Sequence, residues 1–77
     1  MSKRRTWRWV TSDGDYIEIW SLARPKPYWD ALWELWDTDG CTDSIDVCEK
    51  EFRRLTGLKI PIGRPVKVEF TARILED

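Results

Sequence analysis

Pro27-Tyr28-Trp29-Asp30-Ala31-Leu32-Trp33-Glu34-Leu35-Trp36-Asp37 carries three of the chain's six tryptophans, and whether it is helix or strand decides the fold. Trp29, Leu32, Trp33 and Trp36 recur at i, i+3, i+4 and i+7, with Asp30, Glu34 and Asp37 between them, the pattern of a helix with one apolar stripe. Pro27 suits a first helical turn and Gly40 a left-handed stop, so the spacing predicts a helix. The competing reading is a strand over Leu32 to Asp37, since Trp is a good strand former. It alternates less cleanly, because Leu32 and Trp36 would share a face with Asp30 and Glu34.

Upstream, Thr6–Thr11 and Tyr16–Leu22 flank Ser12-Asp13-Gly14-Asp15, and Asp-Gly between two such runs signals a β-hairpin. With Asp13-Gly14 as the loop, the ladder runs Thr11–Tyr16, Val10–Ile17, Trp9–Glu18, Arg8–Ile19 and Trp7–Trp20. One face then carries Val10, Ile17, Ile19 and Arg8, the other Trp7, Trp9, Thr11, Tyr16, Glu18 and Trp20. Both are rich in apolar groups, and only one is the ordinary core side of a small open sheet.

Downstream, the turn Asp37-Thr38-Asp39-Gly40 leads to a second expected helix, capped by Thr42 or Asp43 and stopped by Gly57. Its buried stripe is Ile45, Cys48, Phe52 and Leu55, with Arg53 and Arg54 at the negative end of its dipole. Leu58–Pro65 is a connector whose prolines exclude helix and central strand. Val66, Val68, Phe70, Ala72 and Ile74 then alternate with Lys67, Glu69, Thr71 and Arg73, a half-buried strand.

These elements predict a single α+β domain over residues 1–77, its first five residues a frayed basic tail. Its small antiparallel sheet has three to four strands, formed by the N-terminal β-hairpin and the C-terminal strand, packed against one or two helices. The order is ββααβ, or βββαβ if the tryptophan segment is extended. The expected core is Val10, Ile17, Ile19, Trp33, Trp36, Ile45, Cys48, Phe52, Leu55, Val68, Phe70 and Ile74. A domain of 77 residues buries only about 60% of its unfolded surface, so most of its tryptophans must be core and one or two can be spared for a surface.

Chemistry is sparse. The chain has no histidine, which removes the commonest general base and zinc ligand, and no nucleophile-elbow, phosphate-loop or dinucleotide motif occurs. Cys41 and Cys48 would lie about 10 Å apart along a helix, too far for a disulfide, and two thiols alone do not close a zinc site. Residues 37–46 resemble a calcium loop, but with Gly40 at position six the first ligand is Leu35 and the last is Asp46, not Glu. No enzyme, metal or cofactor is therefore expected. With no membrane-length apolar run and no signal-peptide segment, the expected compartment is the cytoplasm, with no membrane partner.

The functional hint is electrostatic. A net charge of −1 hides +4 in residues 1–10, −7 in residues 30–51 and +5 in residues 52–73, a segregation that steers partners. The acids, Asp43 and Asp46 among them, suit a basic surface on another protein, and Trp7, Trp9, Tyr16 and Trp20 would be aromatic anchors. The expected function is a small non-enzymatic protein-binding module, an inhibitor or adaptor of a larger complex; such domains include viral and mobile-element products. The alternative is a single-stranded nucleic-acid binder using Arg8, Trp7 and Trp9, where cations and rings interleave. A sequence pI near 5.4 and the acidic centre weigh against it. A second copy of the chain is the other occupant that the aromatic face allows.

Overall fold

The computed structural model describes residues 4–21, 26–38, 43–72 and 75. Six strands and one helix follow in the order β1 (Arg4–Ser12), β2 (Tyr16–Trp20), β3 (Tyr28–Asp30), β4 (Leu35–Asp37), β5 (Ser44–Cys48), α1 (Glu49–Thr56) and β6 (Val66–Ala72). Four strands form an antiparallel sheet in the order β5-β2-β1-β6, and β3 and β4 form a separate hairpin. The result is a small α+β fold dominated by strands. Of the expected frayed tail, Arg4 and Arg5 belong to β1 and pair with Ala72 and Thr71; residues 1–3 lie outside the described residues.

The β1–β2 turn is set one residue later than expected. Val10 pairs with Ile19, Thr11 with Glu18 and Ser12 with Ile17, so Gly14-Asp15 is the loop and Asp13 faces Tyr16. Asp13 Oδ1 accepts the N–H groups of Asp15 and Tyr16 at 2.9 Å, and Gly14 takes φ 104°, a region open to glycine at little cost. Since the side-chain period in a strand is two, a two-residue shift leaves each face intact.

The core lies on the face carrying Val10, Ile17 and Ile19. Val10, Ile17, Phe52, Ile60 and Val68 form its buried centre, with Ile19, Val47, Val66 and Phe70 packed around them. Phe52 comes from α1 and Ile60 from the connector. Ile60 alternates with Leu58 and Ile62, but the prolines beside that run make it a connector, so a pattern-based reading does not pick it out as core.

The tryptophan segment is a hairpin, which overturns the expected helix. Tyr28 pairs with Asp37, Trp29 with Trp36 and Asp30 with Leu35. Asp30 Oδ1 accepts the N–H groups of Leu32 (3.0 Å) and Trp33 (3.2 Å), a local bond that competes directly with helix formation. Glu34 closes the loop with a left-handed φ of 54°. In a helix the Trp29 and Trp36 backbones would be about 10.5 Å apart along the axis; in the hairpin the rings meet edge to face at 5.6 Å.

The second expected helix is also corrected. Residues 44–48 are a strand, because Ile45 and Val47 alternate with polar neighbours and β-branched residues favour a pleated edge. They pair with Ile19 and Ile17 of β2. Only Glu49–Thr56 is helical, and it ends on Gly57, at φ 73°, whose N–H reaches Arg53 O at 2.8 Å. Its first N–H, on Glu49, donates to Asp15 O at 2.9 Å.

Four expected core residues therefore face solvent: Trp33, Ile45, Leu55 and Cys48. Cys48 is a free thiol. Ile74 and Cys41 lie outside the described residues.

Truncating Phe52 and Leu55 separates this core from a continuous helical stripe. Phe52→Ala should cost about 3–5 kcal/mol and Leu55→Ala less than about 1 kcal/mol, read from urea unfolding midpoints; equal losses would place Leu55 in the core.

Candidate functional site

The turn end of the sheet's second face is covered. Trp20 and Trp36 are 3% and 4% exposed, and each indole has a partner. Trp20 Nε1 donates to Thr11 Oγ1 and Trp36 Nε1 to Ser12 O, both at 3.1 Å. Thr11, Ser12 and Thr38 are buried with them. The β3–β4 hairpin thus lies against this face at the turn end of β1. Beside it runs a cleft of about 360 Å³, lined by Ser12, Asp13, Trp29, Ile62 and Gly63.

Seating the hairpin on Trp36 leaves its far end in solvent. Leu32 is 83% and Trp33 71% exposed, and Tyr28, Trp29 and Leu35 behind them are exposed to a lesser extent. The two Asp30 bonds hold the turn, and Asp30 and Glu34 put negative charge around the apolar tip, while Asp37 lies at the hairpin's base opposite Tyr28. This is a preformed apolar projection in an acidic setting.

Of the residues singled out from sequence, Trp20 is buried and offers no accessible ring. Trp7 and Trp9 are half-buried and stack edge to face at 5.7 Å. Arg8 belongs to the opposite face; its guanidinium is spent on Ser21 O, Thr6 Oγ1 and Trp7 O at 2.6–3.0 Å. Tyr16 is exposed beside Cys48 on an open cleft of about 400 Å³. Asp43 and Asp46 are exposed at the β5 edge, where Asp43 O accepts Ser21 N–H at 2.9 Å. The structure thus joins Trp7 with Trp9, and Asp46 with the acids below, but forms no single patch from all seven.

Sequence reasoning missed Leu32 and Trp33 as surface residues. The available signal was Asp30, whose side chain sits two and three residues before them and is suited to a turn.

Glu18 marks the acidic part of this face. Its carboxyl pKa is raised, first by burial and then by the charges of Asp46, Asp13 and Asp37, while a hydrogen bond from Ser44 Oγ (3.1 Å) opposes the shift. Among the described residues no cluster of three or more metal-ligating side chains occurs, and no helix is long and apolar enough to cross a membrane. No protein-family model, curated protein or solved structure matches the chain.

Because its folded pKa is raised, Glu18 favours folding when protonated and loses that contribution as pH rises through its folded pKa. Glu18→Gln should therefore raise stability at pH 7 by less than about 1 kcal/mol once solvent screening is allowed for, seen as a higher thermal midpoint. The gain should fade below about pH 4, where wild-type Glu18 is itself protonated; a gain independent of pH would show that its charge is immaterial.

Proposed function

We propose that the protein is a non-enzymatic protein-binding module, an inhibitor or adaptor, that docks the β3–β4 hairpin tip into an apolar groove with a basic rim on a larger assembly. The observation that carries this reading is the 71% exposure of Trp33 on a turn fixed by Asp30. An exposed indole on a rigid turn has little ordering entropy left to lose on binding. Trp is enriched among the residues that dominate interface energetics, and burying one removes about 150–250 Å² of surface from water. The surrounding acids select a basic rim and act mainly on the association rate.

A photo-crosslinking residue placed at Leu32 identifies the partner, and titration with the purified partner tests the contact. Trp33→Ala should weaken the complex about 30-fold or more, equivalent to about 2 kcal/mol, with the unfolding midpoint unchanged. Glu34→Lys should slow association most at low salt. Unchanged affinity in Trp33→Ala would overturn the proposal, as would sedimentation showing that the crosslinked partner is a second copy of this chain.

A further inference from the structure

The pairing of β1 is lopsided. With β6 it runs from Arg4 to Val10, but with β2 only from Val10 to Ser12. Residues 4–9 and 67–72 thus form a two-stranded arm about 20 Å long at 3.4 Å per residue, in a molecule whose principal extents are 46 × 27 × 18 Å. A two-stranded ribbon is marginal in water by itself, and this one is supported on one face, where Val68 and Phe70 join the core and Arg8 Nε donates to Ser21 O at 3.0 Å.

One face of the arm has a specific chemistry. Trp7 and Trp9 stand on it, opposite Glu69 and Lys67 of β6. Lys67 Nζ lies 4.7 Å from the Trp7 ring and 5.5 Å from that of Trp9, and Lys26 Nζ lies 5.4 Å from Trp9. Two cations are thereby held within reach of two indoles, neither of them in an ion pair among the described residues. By sequence the two strand segments carry Arg4, Arg5, Arg8 and Lys67 against Glu69, a net +3.

The objection from the chain's acidity weakens once the charges are placed. β5, with Asp46, and β6, with Lys67, lie at opposite edges of the sheet. Three strand spacings separate them, about 14 Å, whereas surface charges are largely screened beyond about 8 Å at physiological salt. The hairpin's seat at Ser12 is five residues, about 17 Å along β1, from Trp7, and the chain entering it brings the cation Lys26, not an acid, beside Trp9.

From this geometry we infer that the arm is a second binding site, for single-stranded nucleic acid. Trp7 and Trp9 are its stacking surfaces, and Lys67 and Lys26 hold the adjoining phosphates. A phosphate drawn to Lys67 places its base beside the two rings that already attract that cation, the combination by which single strands are bound without sequence readout. The site is independent of the hairpin tip, so the chain can bridge a nucleic acid and a protein.

The test is fluorescence titration of the whole protein with single-stranded oligothymidylate of about 12 nucleotides, within the range of single-strand site sizes. Binding should quench tryptophan emission and weaken about 7-fold between 50 and 200 mM salt, if Lys67 and Lys26 each engage one phosphate. Lys67→Gln should lower the salt slope by about 0.7, Trp7→Phe and Trp9→Phe should remove most of the quenching, and Trp33→Ala should change nothing. The inference is overturned if oligothymidylate does not bind at 50 mM salt, if polyglutamate binds equally well, or if binding occurs without quenching or is insensitive to Lys67. Loss of partner binding in Trp33→Ala with oligothymidylate binding intact separates the two sites.

Discussion

The constraint behind this structure is that a small sheet carrying indoles on one face and branched aliphatics on the other must be covered twice. Helix α1 and the connector cover the aliphatic side through Phe52 and Ile60. The turn end of the indole side is covered by the β3–β4 hairpin, and the contact that seats it is the bond from Trp36 Nε1 to Ser12 O, while Trp7 and Trp9 beyond it stay half-buried. A buried donor left unpaired costs about 1–3 kcal/mol, so this bond fixes where the hairpin lies. It fixes which tryptophans remain outside as well: with Trp36 turned inward, the loop beyond Asp30 has to leave the sheet, and Trp33 leaves with it.

Electrostatics follows the same division. Acidic groups gather on β5, around Glu18 and along the hairpin, whereas cations gather on the β1–β6 arm. The Glu18 carboxyl pKa is raised, first by burial and to a smaller extent by the charges of Asp46, Asp13 and Asp37. Opposite charge at the two ends of one small sheet suits a molecule with two different neighbours.

Three of the sheet's four strands, β1, β2 and β6, were legible because period-two patterns and the Asp-Gly turn are local signals. Even the misplaced turn preserved the faces, as a register error of two residues moves no side chain across the sheet. What was not legible was the choice between period two and period 3.6 in short segments. Residues 44–48 satisfy both templates, and pairing with β2 decides between them. In residues 28–37 the helical spacing of Trp29 and Trp36 is real, but the cross-strand ring contact and the Asp30 turn outweigh it, and neither appears in a periodicity count. For the same reason Trp33 was assigned to the core, and the part of Lys67 beside Trp7 and Trp9 emerged only with the pairing of β1 and β6.

The sorting of the indoles is the claim on which the rest depends, and hydrogen exchange of the six indole N–H groups, followed by NMR, tests it most directly. The Trp20 and Trp36 protons, hydrogen-bonded and buried, should exchange slowly, near the rate set by global opening, while that of Trp33 should exchange at the rate of a free indole. Protection of Trp33 equal to that of Trp36 would mean that both lie in one packed stripe, and would contradict the hairpin and the docking tip proposed on it.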